Sequence, residues 1–236
     1  MLPQTYSTKW KSFFLALLVA FYTCGYLGIN WFNDYRSRYY DVSLWFEKDI
    51  PFVPAMIIGY SFVFVLIIIL FLIIDNMPDF WDICRRFLAM TLICFTTFLV
   101  FPVRMNFRPA VGVGHDFITE LVSFYFWMDK PYNLFPSMHL AASFFVAFYC
   151  LRQGPVIGWI TMTMAAIVGV SVVLLKQHYI MDVVAGFTVA WICSFFSLDW
   201  VGKAVPVKTA WFRQRDVFAS DQVTRFPVKK TDYSDD

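Results

Sequence analysis

Charge is scarce in this sequence. Only 15% of its 236 residues are Asp, Glu, Lys or Arg, whereas 59% are hydrophobic and 21% aromatic, with a mean hydropathy of +0.60. Such a composition excludes an ordinary water-soluble domain, gives no basic surface for a nucleic-acid partner, and marks an integral membrane protein. Cysteine is sparse as well: Cys24, Cys94, Cys150 and Cys193 fall in or beside apolar runs and Cys84 stands alone, so neither a disulfide framework nor a metal-binding spacing is visible. The first apolar run follows Lys9 and Lys11 but no small-x-small cleavage site comes after it, which makes it a retained span rather than a signal peptide. No internal repeat is found.

What is present is long apolar runs. A hydrocarbon core of about 30 Å needs about 20 apolar residues per helix, and six stretches approach that length, near 12–32, 53–74, 83–101, 137–151, 156–175 and 180–198. The expected fold is an all-α polytopic membrane bundle of about six transmembrane helices. The fourth stretch is short and interrupted by polar residues, so its upper end is expected in protein or water rather than lipid. Between the third and fourth, Phe117, Leu121, Phe124, Tyr125 and Met128 recur at helical spacing with Asp116, Glu120 and Ser123 opposite, which predicts a helix lying in the interface. Residues 1–198 form the expected membrane domain, with its chemistry in 101–186. Residues 199–236, of mixed charge and no periodicity, read as a solvated and partly disordered tail.

Lysine and arginine counts orient the chain. With six spans, the two tails and the loops near 75–86 and 152–155 hold 12 of these residues, against 7 in the connections at 33–52, 102–136 and 176–179. Both termini are therefore expected in the cytoplasm, with the latter connections on the extracytoplasmic side.

Those connections carry the ionisable residues able to do chemistry at membrane depth, where charge is costly and marks function. "FPVRMNFRPA" (101–110) offers Arg104 and Arg108, "FPSMHL" (135–140) offers Ser137 and His139, and "LLKQHYIMDVVAG" (174–186) offers Lys176, His178 and Asp182. A helix starting near His178 would set His178 and Asp182 on one face, the carboxylate holding one ring nitrogen and leaving the other as a nucleophile or base. Pro136 suits the first turn of a helix. The N-terminus of that helix, beside the Ser137 hydroxyl, suits an anionic oxygen, with His139 at hand as a proton donor. His115 and Asp116 in "GVGHD" read as an ordinary loop pair.

The order Arg-Pro (Arg108, Pro109), then Pro-Ser-x-His (Pro136 to His139), then His-x-x-x-Asp (His178 to Asp182) preceded by Ser171 resembles the three motifs of the type 2 phosphatidic acid phosphatase superfamily, the lipid phosphatases and phosphotransferases. The resemblance covers roughly residues 101–186. It implies that His178 is a nucleophile forming a phosphohistidine, that Asp182 orients it, that His139 protonates the leaving group, and that no metal or other cofactor is required. Arg108 matches the arginine of the first motif. Arg104 and Lys176 are substitutes placed on charge and position, because Phe101 stands where the first motif usually has lysine and Val172 follows Ser171 where the third usually has arginine. These departures look like the divergent branch that includes sphingomyelin and inositol phosphorylceramide synthases. The expected activity is hydrolysis of a lipid phosphate ester at the extracytoplasmic face. One alternative is transfer of a phospho-headgroup to a lipid alcohol, and another is a catalytically silent membrane protein that binds an anionic lipid.

Overall fold

A computed structural model describes residues 8–74, 76–111 and 116–196. The tail at 199–236 and His115 lie outside the described residues. The described chain is helical, with a single isolated β-bridge between Tyr40 and Val103. Its helices are α1 (Thr8–Asp34), α2 (Ile57–Tyr60), α3 (Phe62–Ile73), α4 (Met77–Val100), α5 (Phe117–Met128), α6 (Met138–Gln153), α7 (Pro155–Leu174) and α8 (Ile180–Phe195). Between α2 and α3 the chain stays right-handed at Ser61, whose hydroxyl donates to the Ile57 carbonyl at 2.8 Å. With the 3-10 turn Pro54–Met56 the two make one rod over Pro54–Ile73.

Four segments are long and apolar enough to cross a membrane: Trp10–Asp34, Pro54–Ile73, Met77–Val100 and Pro155–Leu174. Their apolar side chains face outward as readily as inward, as expected where the solvent is hydrocarbon; Leu72 is 77% and Trp159 67% exposed. α6 is different. At 16 residues it is short, and nearly all of it is enclosed by protein, with Met138, Leu140 to Ser143 and Phe145 to Cys150 buried. It packs against α3, α4, α7 and α8, which explains how its polar interruptions are tolerated: they meet protein, not lipid.

Sequence signals account for the helix starts. Asn76 accepts the Asp79 N–H at 2.9 Å ahead of α4, and Asp116 accepts that of Thr119 at 3.0 Å ahead of α5, each satisfying an otherwise unpaired donor of the first turn. α6 begins two positions later than the proline suggested. Ser137 is its N-cap, accepting the Leu140 N–H at 3.4 Å, so Pro136 precedes the cap instead of occupying the first turn. α5 forms over the expected residues but turns a different face to the bundle. Ile118, Leu121, Val122, Tyr125 and Phe126 pack inward, while Phe117, Phe124 and Met128 are exposed. The helix is apolar on both sides, and the edge-on contact of Tyr125 with Tyr60 helps fix which side goes in.

Two glycines permit close approach. A Cβ on Gly186 would lie 2.4 Å from the Ser137 carbonyl oxygen and 3.0 Å from Leu140 Cβ, so α8 crosses α6 backbone to backbone. A Cβ on Gly59 would lie 2.3 Å from Ser171 Oγ, which draws α2 tightly onto α7. At one end of the bundle the 33–53, 101–108, 129–135 and 175–179 segments come together: Tyr40 N–H donates to Pro102 O, Val53 N–H to Leu174 O and Met105 N–H to Pro131 O. At the other end Arg86 donates to the carbonyls of Cys193, Ser194 and Phe196, and Arg152 donates to that of Ser194.

Candidate active site

After Leu174 the chain reverses in a tight turn. Lys176 takes a left-handed φ of 54°, and the N–H groups of Gln177 and His178 both donate to the Val172 carbonyl, at 2.9 and 3.2 Å. α8 then starts at Ile180, so His178 lies just ahead of the helix instead of on its first turn. Its imidazole is brought near Asp182 by this turn, with Nδ1 3.4 Å from Asp182 Oδ2, within ion-pair range though not an aligned hydrogen bond. Asp182 caps its own helix, Oδ2 accepting the Tyr179 N–H at 2.8 Å. The other face of His178 meets α6: Nε2 lies 3.2 Å from His139 Nδ1. His139 Nε2 in turn lies 2.7 Å from the hydroxyl of Tyr60 on α2. Tyr60, His139, His178 and Asp182 thus form a line built from three separate parts of the chain.

Burial pushes the His178 imidazole down to about 4, with Asp129 opposing and Arg108 acting in the same sense as burial. At neutral pH the ring is therefore uncharged, and with Nδ1 toward a carboxylate its Nε2 lone pair is the nucleophilic one.

The other residues singled out from the sequence sit as follows. Arg108 is half-buried beside the turn, donating through Nη1 to Asp129 O at 2.7 Å, through Nη2 to Gln177 Oε1 at 2.5 Å and through Nε to Lys176 O at 3.4 Å, with its guanidinium 4.6 Å from the Phe126 ring centre. Arg104 is exposed, over the rings of Tyr39 and Tyr132. Lys176 is buried and turned toward the 41–53 segment, where Nζ donates to Glu47 O at 2.8 Å. Burial pushes its ammonium down, while Glu47 and Asp49 oppose this. The Ser137 hydroxyl is engaged in capping α6, and its backbone N–H donates to Asp182 O at 3.0 Å. Asp116 caps α5. Arg108 and the two histidines are thus neighbours, whereas the contacts of Arg104 and Lys176 lead away from the imidazole pair.

Several residues at this end carry no sequence signal of their own. Tyr60 lies inside an apolar run. Asp129, 6% exposed, holds the Tyr26 hydroxyl at 2.8 Å and lies close enough to His178 to influence its protonation. Glu47, 2% exposed, accepts the N–H groups of Ile180 and Leu44 at 2.5 Å each, placing a carboxylate at the N-terminus of α8. α1 is tied to the 129–133 segment by amides: Asn30 Nδ2 donates to Lys130 O, Asn33 Nδ2 to Asn133 Oδ1, and Asn133 Nδ2 to Tyr26 O, at 2.9, 3.0 and 2.9 Å. Among the described residues, no group of three or more His, Cys, Asp or Glu is placed to hold a metal ion.

Fold and site together define an all-α membrane protein with two neighbouring histidines at one end of the bundle, one of them, His178, buried and backed by a carboxylate. Residues 41–196 match the PAP2 superfamily, and the chain belongs to it. Members of that superfamily are phosphatases or phosphotransferases. The match leaves out α1, the helix that brings Tyr26 to Asp129. An uncharacterized protein of Methanocaldococcus jannaschii is 34% identical over 77 residues, which cover 32% of this chain and 30% of that protein's length.

Proposed function

We propose that this chain is a membrane lipid phosphatase that works through a phosphohistidine on His178. The observation that carries the reading is the contact between His139 and His178, contributed by segments 39 residues apart and set side by side at the end of a membrane bundle. A phosphate group takes the place of that contact, entering between the rings. His178 Nε2 attacks phosphorus as the bond to the lipid oxygen breaks, and protonated His139 delivers its proton to the departing alkoxide. His139, now neutral, takes a proton from water; the water oxygen attacks phosphorus, the N–P bond breaks, and phosphate leaves. Asp182 holds the ring of His178. Arg108 neutralises the phosphoryl oxygens, which accumulate charge in the transition state. Arg104 stands at the exposed rim of the same end, and Lys176 acts through the turn that it anchors to Glu47.

The catalytic unit in this reading is the membrane domain, residues 1–198, with its active end extracytoplasmic and both termini in the cytoplasm. A cysteine placed at Asn106 in a background without the native cysteines is expected to react with an impermeant thiol reagent in intact cells. Reaction only after permeabilisation would put the chemistry in the cytoplasm.

The decisive experiment incubates the chain, in lipid nanodiscs, with phosphatidate labelled in its phosphate. Acid-labile, base-stable label on the wild type and none on His178→Ala is the expected result; turnover by His178→Ala would end the phosphohistidine mechanism. Adding diacylglycerol or ceramide with a labelled phospholipid tests transfer to an alcohol, and a labelled lipid product would make the enzyme a phosphotransferase instead.

A further inference from the structure

The Tyr60 hydroxyl is the nearest described partner of His139 on the side away from His178, and the mechanism above gives it no task. Resting on that mechanism, we propose that Tyr60 is a positioning residue that confines the transferable proton of His139 to Nδ1, the nitrogen facing the reacting phosphate. The argument begins with inventory. A neutral imidazole has one N–H and one lone pair, a phenol can donate or accept, and two bare ring nitrogens do not hold each other at 3.2 Å. If Tyr60 O–H donates to His139 Nε2 across 2.7 Å, the His139 proton must be on Nδ1. It then points to His178 Nε2, which keeps its lone pair while its own proton sits on Nδ1 beside Asp182. One orientation pairs both ring nitrogens of His139 and the Nε2 of His178.

The same hydroxyl serves the charged form. When His139 is an imidazolium, Nε2–H donates to the Tyr60 oxygen, and the phenol proton rotates away. Loss of the Nδ1 proton to the leaving oxygen returns the ring to neutrality with Nε2–H still held by the Tyr60 oxygen, and Nδ1 is left bare to take the proton of the attacking water. Nε2 is therefore partnered in both states, and only Nδ1 exchanges a proton with substrate.

The surroundings hold the phenol in place. Tyr60 is 2% exposed, and its ring meets Tyr125 edge-on at 5.4 Å and that of His139 at 4.9 Å. Gly59, next in the chain, lets α2 lie tightly against α7. The other groups around His139 are the Tyr26 ring on α1, at 6.2 Å, His178 on the turn before α8, and the Asp129 carboxylate, whose charge reaches the ring. Tyr26 donates its hydroxyl to Asp129, which leaves Tyr60 as the hydroxyl on Nε2.

The test exploits leaving groups. An alkoxide must be protonated as it departs, whereas 4-nitrophenolate leaves without a proton. Full-length Tyr60→Phe in nanodiscs, assayed with dihexanoyl phosphatidate and with 4-nitrophenyl phosphate by kcat/KM, which excludes the hydrolysis step common to both, is expected to lose on the order of 10²-fold on the first, the scale of general-acid catalysis, and less than about threefold on the second. A 3-fluorotyrosine at position 60 keeps the shape, so folding is secure; it is expected to slow the alkyl ester alone, by about threefold or more, as the phenol becomes a poorer acceptor for the imidazolium. Equal losses on both esters with 3-fluorotyrosine, or no change on either with both variants, would overturn the proposal. Wild-type protein that hydrolyses neither ester would instead remove the phosphatase reading, and this inference with it.

Discussion

Replacing Arg108 by glutamine removes a charge and a fork at once, and the structure separates the two. The guanidinium binds two other segments, through Asp129 O on one and Lys176 O and the Gln177 side-chain Oε1 on the other, and its charge lies close enough to His178 to lower the basicity of that ring. Each hydrogen bond from a charged donor contributes about 1.5–3 kcal/mol, so part of the effect falls on the turn that presents His178. The other part falls on the transition state, where loss of one preorganised donor typically costs about 3–4 kcal/mol, or about 10²–10³ in rate. We expect kcat/KM of Arg108→Gln to drop by about that factor, with a melting temperature lower by a few degrees. Arg108→Lys keeps the charge but reaches one partner where arginine reaches three, and is expected to fall between the two. Phosphate release from phosphatidate in nanodiscs reads the first quantity, and intrinsic tryptophan fluorescence on heating reads the second. A loss below about threefold in Arg108→Gln would refute the electrostatic role; full activity in Arg108→Lys would refute the contribution of the fork.

Other outcomes follow from the same geometry. Because burial lowers the His178 pKa from its usual value to about 4, the neutral nucleophile persists through mild acid and is lost only as pH falls toward that value; single-turnover labelling of His178 should stay high at pH 5.5, and a midpoint near 6.5 would contradict it. If Arg108 and His139 carry the charge and proton handling, EDTA should leave turnover intact, and vanadate, which mimics phosphorus under attack by imidazole, should inhibit. Loss on chelation that a divalent ion restores would remove the metal-free mechanism and direct attention to His115 and Asp116. Gly186→Ala should destabilise the bundle by about 1–3 kcal/mol, the usual cost of overpacking, since its methyl would collide with the Ser137 carbonyl; an unchanged unfolding temperature would mean that α8 and α6 are free to separate there.

Much of this architecture can be read from the sequence because apolar run length is a strong local signal. The rods over Pro54–Ile73 and Pro155–Leu174 fall within a residue or two of the runs that announce them. The adjacency of His139 and His178 is legible for another reason: three short motifs in a fixed order constrain one another. What escapes is everything set by a single long-range contact. Tyr60 is an unremarked residue in an apolar run until His139, 79 positions away, supplies its partner. Lys176 looks like one more cation at the site, but its direction is decided by a carbonyl 129 positions earlier. Ser137 could present its hydroxyl to an anion or to its own helix, and the local competition goes to the cap. The face of α5 escapes as well, because large apolar residues flank Glu120 and Ser123 on more than one side and the stripe is too broad to say which edge turns in.

α8 is held at both of its poles. Glu47 presents a carboxylate to its first N–H groups with Asp182 alongside, and Arg86 and Arg152 bring guanidinium groups to its last carbonyls. Each such charge opposes the end of the helix that it favours, at about 0.3–1 kcal/mol when exposed and up to about 2 when partly buried. A slide of even one residue along the axis, about 1.5 Å, would misalign the contacts of Glu47, Arg86 and Arg152 together. α8 therefore behaves as a pin seated in an electrostatic detent. The carboxylate of Asp182 is kept at one height along the bundle, and on the proposed lipid-phosphatase reading any motion that admits or releases a lipid has to take place in other helices.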